Sequence, residues 1–257
     1  MARILVTGSS TGLGLMAGAL LAGRGHRVTL HARDAARAED ARRALPQAEA
    51  VIAGDLARLA GARAVAEQAN RLGRFDAIIH NAGIGYGDGR LTRTPEGLPE
   101  IFAVNVLAPY VMTALIERPK RLVYLSSGMH RGASLDLDDL GWRQRRWSAG
   151  GAYGESKLLD VLLAFALARR WPDVFSNAVD PGWVATRMGG ANAPDSAEDG
   201  RATQAWLAVS EDKAAKVSGK YFHHLRERAP DAKALSVALQ DRLIAQCEKL
   251  SGVALPA

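Results

Sequence analysis

Short continuous apolar runs alternate with longer stretches of helical periodicity from the first residues to about position 222. The runs at residues 4–7, 28–30, 50–53, 77–79, 121–125 and 174–179 are rich in Val, Ile and Leu and do not alternate with polar residues. That pattern predicts strands of a parallel sheet, buried on both faces. Between them, periodicity near 3.6 predicts helices over 13–24, 35–45, 57–72, 98–117 and 153–171, with Gly25, Pro46, Gly73 and Pro172 as terminators. A helix around 200–209, a seventh strand at 219–222 and a helix over about 231–250 complete the chain. Repeating one strand-helix unit with right-handed crossovers predicts a single doubly wound α/β domain: about seven parallel strands with helices on both faces. At 257 residues and 48% hydrophobic content, one core can serve the whole chain.

Two segments break the periodicity, 128–151 and 189–200. Both follow strands on the edge where such sheets bind ligands, which makes them candidate pocket walls. The second is rich in Ala, Gly, Pro and Asp, and Gly189, Gly190 and Gly200 are expected to let it hinge as a lid. The net charge of +6 comes from scattered arginines, so a solvated surface is preferred over a nucleic-acid or lipid site. The densest basic cluster, Arg143, Arg145 and Arg146 between Trp142 and Trp147, would suit stacking on single-stranded bases, an alternative that a salt-dependent titration would expose. Cys247 stands alone, so no intrachain disulfide forms. The first strand begins almost at Met1, which argues against a leader peptide and for a cytoplasmic location. The longest apolar stretch, 102–116, carries Asn105, Pro109 and Thr113 and is shorter than the roughly 20 residues that span a bilayer, so no membrane association is expected.

Directly after the first strand comes Thr7-Gly8-Ser9-Ser10-Thr11-Gly12-Leu13-Gly14, followed by an apolar helix. Glycines there permit a tight turn, close backbone approach to a pyrophosphate and close helix-strand packing, while free amides and the helix dipole hold the phosphates. The spacing TGxxxGxG resembles the cofactor signature of the short-chain dehydrogenases/reductases, and further motifs follow in that family's order. Asp55-Leu56 resembles the pair that holds adenine. His80-Asn81-Ala82-Gly83 resembles the NNAG turn, with His in place of the first Asn. Asn105, Ser126-Ser127, Tyr153-Gly154-Glu155-Ser156-Lys157 and Pro181-Gly182-Trp183-Val184-Ala185-Thr186 complete the set. The resemblance implies that residues 1–125 mainly bind a nicotinamide cofactor and 126–257 carry catalysis and substrate binding. It also implies a small-molecule carbonyl or alcohol substrate and a homodimer or homotetramer. The implied cofactor contacts are Gly8, Ser10, Thr11, Gly12, Leu13, Gly14, Asp55, Leu56, Asn81, Ala82, Gly83, Tyr153, Lys157, Pro181, Gly182, Val184 and Thr186.

Reducing a carbonyl requires a hydride at carbon and a proton at oxygen. Tyr153 and Lys157, four apart, fall on one helix face, where an ammonium favours the phenolate and so eases proton exchange. By resemblance Ser127 bonds the substrate oxygen, Ser126 belongs to the strand end, and Asn105 holds a water that passes protons to Lys157. Ser127 and Tyr153 are 26 apart, longer than in the shorter members and similar to the retinol-dehydrogenase-like and carbonyl-reductase-like ones. Cofactor choice is read at Val28-Thr29-Leu30-His31-Ala32-Arg33-Asp34. NAD-selective folds place a carboxylate at this strand end, whereas an arginine accommodates the 2′-phosphate. Here the acidic position corresponds to the uncharged Ala32 and is followed by Arg33, which implies NADP(H), with Asp34 free to cap the next helix. No histidine spacing resembles a metal site, and neither Ser126 nor Ser127 lies in a GxSxG elbow. Alternatives are a redox sensor that binds NADP(H) without turnover, and a sugar epimerase, which generally has a larger C-terminal domain than the tail beyond Phe222.

Overall fold

The computed structural model describes residues 1–87 and 89–257. Its strands are β1 (Arg3–Val6), β2 (Arg27–Ala32), β3 (Ala50–Ala53), β4 (Ala77–His80), β5 (Arg121–Leu125), β6 (Phe175–Asp180), β7 (Tyr221–His223) and β8 (Arg226–Arg228). They form one sheet in the order β3-β2-β1-β4-β5-β6-β7-β8, and every pairing up to β7 is parallel. The order reverses between β1 and β4, the crevice where open α/β sheets take ligands.

Both faces of the sheet are covered, and the period of two sorts the side chains between them. Ile4 and Val6 of β1, Ala77 and Ile79 of β4, and Val123 and Leu125 of β5 join one buried cluster. That cluster packs against α1 (Gly12–Gly23), α2 (Ala35–Ala44) and α7 (Ala197–Val209). Leu5, Ile78, Leu122 and Tyr124 point the other way, into the larger cluster with α3 (Leu59–Leu72), α5 (Ala108–Leu115), α6 (Ala149–Arg170) and α8 (Val237–Ser251). Each fully buried Leu or Ile contributes about 1.5–3 kcal/mol. A one-residue slip of any central strand would therefore exchange its two faces between clusters and lose both fits.

Three elements depart from expectation. The sheet has eight strands, and β8 runs antiparallel to β7, pairing Tyr221 with Arg228 and His223 with Arg226. The two-residue turn joining them uses His224 and Leu225 at φ 46° and 62°. Such turns usually announce themselves with Asn-Gly, and Arg-Glu-Arg carries no apolar signal, so this hairpin was invisible in the sequence. The helix expected over 98–117 is α4 (Glu100–Phe102), a π turn over Ala103–Leu107, then α5. Finally, α6 begins one turn before Tyr153, because Ser148 caps it by accepting from the Gly151 amide.

Candidate active site

The glycine-rich turn joins β1 to α1, and each glycine has its own reason. Gly8 (φ 60°) lies so close to the β4 turn that a Cβ would stand 2.6 Å from Ala82 Cα. Gly14 would place one 2.7 Å from the Gly8 carbonyl. Gly12, also at φ 60°, faces open space, with Thr186 Cγ2 the nearest atom at 4.0 Å. Thr11 is the N-cap of α1 but makes no side-chain cap bond, so its side chain does not occupy the first amides of the helix. A phosphate cradle needs this arrangement: left-handed glycines, open space above them and amides without a side-chain cap. Leu13 packs against the start of α7, its Cδ2 3.0 Å from where a Gly200 Cβ would stand, while Ser10 is half-buried.

The cradle's underside rests on a residue that the motif reading missed. His31 of β2 accepts the Gly8 amide at Nδ1 (3.0 Å), and Nε2 donates to the Gly54 carbonyl (2.9 Å). Its own amide donates to Ser9 Oγ, which in turn donates to the Val6 carbonyl. This geometry requires the neutral ring, and burial holds the His31 pKa down at about 4. On the other side, Asn81 Nδ2 donates to the Thr7 and Gly8 carbonyls, and the Ala82 amide donates to Thr7 Oγ1. His80, in the NNAG variant, is buried and stacks on Tyr124, with Nε2 2.9 Å from Thr113 Oγ1.

Around the rim, Asp55 accepts the Ala57 amide beside the buried Leu56. Arg33 has 72% of its side chain exposed and lies 3.7 Å from the Asp34 carboxylate, which also caps α2 by accepting the Arg37 amide. Thus Asp34 fulfils the cap role expected of it while leaving the guanidinium in solvent. The turn after β6 places Gly182 at φ 86° with its amide donating to Asp180. Pro181 precedes it, Val184 is buried, and Thr186 stands over Gly12.

The catalytic candidates converge at the ends of β5 and α6. Ser126 Oγ donates to the Lys157 carbonyl, fastening α6 to β5. Ser127 opens a short 3₁₀ turn (Gly128–His130), accepting the Met129 amide. The first turns of α6 press on this turn, since a Cβ on Gly154 would stand 2.9 Å from the Met129 carbonyl. The Tyr153 hydroxyl lies 3.9 Å from Met188 Sδ, and its ring meets Tyr86 edge to face at 5.8 Å. One turn on, Lys157 is buried with Nζ 5.7 Å from the centre of the Tyr153 ring, donating to the Leu125 carbonyl (2.8 Å) and to Asp160 Oδ2 (2.9 Å). Burial pulls this amine toward its neutral form, yet the Asp160 carboxylate and Tyr153 outweigh it and leave the Lys157 pKa raised. Asn105 sits in the π turn, where its carboxamide accepts the Ile84 amide and donates to the Ile84 carbonyl and to Ser156 Oγ. Gly83 separates the two polar groups: a Cβ there would stand 3.5 Å from both Asn105 Oδ1 and Lys157 Nζ.

The two aperiodic segments are anchored differently from expectation. In 128–151, Trp142 Nε1 donates to Glu155, and Arg145 bonds the same carboxylate at 2.8 Å while lying 4.0 Å over the Trp142 ring. Asp139 accepts the Arg143 and Gln144 amides. Glu155, an unspecified position of the YxxxK motif, thus fastens the segment to α6, and the Trp142 and Arg145 side chains are spent inside the protein rather than offered to bases. In 189–200, Gly200 is a buried packing point, 2.6 Å from Val184 Cγ2 were it to carry a Cβ, and Gly189 backs onto the Val184 carbonyl. Only Gly190 (φ 78°, open space) has the freedom expected of all three. Asp195 holds the segment to the site by accepting the Trp183 amide and donating its own to the Trp183 carbonyl. Among the described residues no group of three or more His, Cys, Asp or Glu could hold a metal ion, and no helix is long and apolar enough to cross a membrane.

Comparison with known proteins places this geometry. The family model for short chain dehydrogenases matches residues 2–124. The short-chain dehydrogenase chyC of Penicillium rubens is 42% identical over 261 residues, covering 100% of both chains. Human retinol dehydrogenase 13 is 31% identical over 286 residues (98% of this chain, 85% of the relative). The candidate daunorubicin C-13 ketoreductase DnrU of a Streptomyces species is 35% identical over 237 residues (85% and 82%). A solved structure of an uncharacterised protein from Mycobacterium Paratuberculosis superposes with a TM-score of 0.86 at 26% identity, covering 100% of this chain and 96% of that one. The resemblance to retinol-dehydrogenase-like members thus has a relative that covers nearly the whole of this chain. Full-length identity of this order, over a sheet and motif set of this kind, means that the chain is an oxidoreductase belonging to the short-chain dehydrogenase family.

Proposed function

We propose that this chain is an NADP(H)-dependent oxidoreductase that interconverts a carbonyl and an alcohol, with Tyr153 as general acid and base. The observation that carries the reading is the buried Lys157 ammonium, 5.7 Å from the Tyr153 ring, one helical turn along α6 and beside the turn that bears Ser127. The cradle fits a dinucleotide: Gly8 and Gly12 are left-handed, Gly12 faces open space, and no side chain of Thr11 covers the start of α1. Gly8, Ser10, Thr11, Gly12, Leu13 and Gly14 would hold the pyrophosphate. Asp55 and Leu56 would border the adenine, Asn81, Ala82 and Gly83 the adjoining ribose, and Pro181, Gly182, Val184 and Thr186 the nicotinamide side. Arg33, largely solvated, would meet a 2′-phosphate with charge-assisted bonds.

When bound, the cofactor supplies or accepts the hydride. Tyr153 gives its hydroxyl proton to the carbonyl oxygen in reduction and takes it back in oxidation. Ser127 orients that oxygen and bonds the charge developing on it. Lys157 favours the phenolate through its positive charge, and Asn105 braces Ile84 and Ser156 around it. The name of the ketoreductase relative agrees with carbonyl reduction. An intact Tyr153/Lys157 pair argues against a turnover-free sensor. The test is a screen of aldehydes, ketones, retinoids and quinones for NADPH oxidation. Turnover with none of them, or equal turnover in Tyr153→Phe, overturns the proposal.

A further inference from the structure

Lys157 is the sole ammonium assigned to the chemistry, and its site is severe for a cation: the side chain is 6% exposed, deep between α6 and the end of β5. A desolvated amine loses its proton unless a fixed counter-charge holds it. The Leu125 carbonyl accepts one hydrogen bond but carries no net charge. The counter-charge is Asp160, three residues on along α6, whose side chain is 3% exposed and whose Oδ2 lies 2.9 Å from Nζ; burial pushes its carboxyl up to about 7 against the opposing pull of the Lys157 ammonium, so the two form an ion pair in the alkaline range where alcohol oxidation is read.

We propose that Asp160 is a positioning residue for the reaction: it fixes the Lys157 side chain and keeps it an ammonium within reach of Tyr153. This inference rests on the catalytic reading of Tyr153 and Lys157 given above. A buried carboxylate is costly to desolvate, and packing alone does not require one where Leu158, Leu159, Val161, Leu162 and Leu163 fill the neighbouring positions. The groups that bear on the pair are few. Tyr153 lies on the same helix, and Tyr124 of β5 feels the Asp160 charge, with its hydroxyl 2.8 Å from Thr113 Oγ1. His80 of β4 stacks on Tyr124 and is held neutral by burial. Cys247 of α8 bears on Tyr124 and is kept a thiol by burial. Since burial keeps His80 and Cys247 uncharged, Asp160, once ionised above about pH 7, is the group among the described residues that balances Lys157 in this part of the core.

The experiment compares Asp160→Asn, which keeps shape and removes charge, with Asp160→Glu, which keeps charge and strains shape. The readout is kcat/KM for alcohol oxidation as a function of pH, together with thermal stability. In Asp160→Asn the buried amine is expected to lose its proton near neutrality. The limb that reports phenolate formation should move about one pH unit or more toward alkali, about a tenfold loss of rate on that limb. Asp160→Glu should keep the wild-type limb even where it lowers Tm as much. If the Asn variant folds and its profile matches the wild type, Asp160 only fills space and the proposal is overturned. Should both variants fail to fold, 13C-lysine NMR of the wild-type holoenzyme decides. A Lys157 signal constant to about pH 10, against an ordinary lysine pKa near 10.4, supports the proposal; one that titrates near neutrality overturns it. Lys157→Met separates this from failure of the underlying reading: full turnover there removes the catalytic assignment itself, whereas lost turnover combined with a wild-type profile in Asp160→Asn removes only the role of Asp160.

Discussion

Acidification is expected to loosen the phosphate cradle before it unfolds the rest of the protein, and His31 is the reason. The ring is wedged between the Gly8 amide, which it accepts at Nδ1, and the Gly54 carbonyl, to which it donates. A second proton would have to sit on Nδ1 against the Gly8 N–H, replacing an attraction with a clash of two donors in a desolvated site. The folded pKa is about 4 against an ordinary 6.5, lowered chiefly by burial. Because the folded-state value is the lower one, the unfolded chain binds the proton first. The stabilisation from neutral His31 is complete above pH 6.5 and is lost progressively between 6.5 and 4. At 1.36 kcal/mol per pH unit the full loss is about 3 kcal/mol, with about 2 kcal/mol already gone at pH 5. Urea unfolding of the wild type and of His31→Gln from pH 7.5 to 4 measures this directly. Gln does not titrate, so the difference between the two curves isolates His31 from His80 and from carboxylates such as Glu49 and Asp76, which are held low by partners. The stability gap should shrink by about 2 kcal/mol between pH 7 and pH 5, whereas cofactor affinity should fall only as the pH approaches 4, where the folded ring itself takes the proton, and in the wild type alone. Parallel curves would refute the reasoning.

Three further outcomes are expected. Tyr153→Phe should leave cofactor affinity nearly intact while lowering kcat by about two to four orders of magnitude, measured by equilibrium binding and steady-state kinetics side by side. Arg33→Ala should weaken NADPH by about ten- to a hundredfold, from the roughly 1.5–3 kcal/mol of a charged hydrogen bond, and change NADH little; kcat/KM for both cofactors checks this, and a wild type that prefers NADH refutes it. Hydrogen exchange should be fast at residues 187–194 without ligand and slow with cofactor and substrate, because Gly190 supplies the hinge, whereas Gly200 stays protected in both states as a packed helix residue.

How much of this was legible beforehand follows from which interactions repeat along the chain. Continuous apolar strands such as Ile4–Leu5–Val6 and the glycine trio announce themselves, since a buried strand and a left-handed turn each restrict residue type strongly. The Tyr153/Lys157 pair was readable because its four-residue spacing is itself the geometry. His31 and Glu155 were not, since each acts through partners distant in sequence, Gly54 for the first and Trp142 with Arg145 for the second, and Asp160 was not because it lies three residues beyond the motif, where an i,i+3 Lys-Asp pair reads as an ordinary helix-surface ion pair until its burial is seen. The misjudged glycines make the same point. Gly200 and Gly190 look alike in sequence, and only the neighbour at 2.6 Å separates a packing glycine from a hinge.

The π turn over Ala103–Leu107 makes chain length within this helix a functional quantity. A π turn closes with one residue more than an α turn, so removing any one residue between 103 and 107 would let the segment relax to ordinary α-helix, the cheaper form. Everything on one side of the deletion would then rotate by about 100° relative to the other, the angle of one residue at 3.6 per turn. Val106 and Val111 could not both face the core while Asn105 still reached Ile84 and Ser156. The inserted residue acts as a phase corrector, letting one helix satisfy the hydrophobic period on both sides while turning a carboxamide toward the lysine, and a family alignment that closes this gap would misplace the site by a quarter turn.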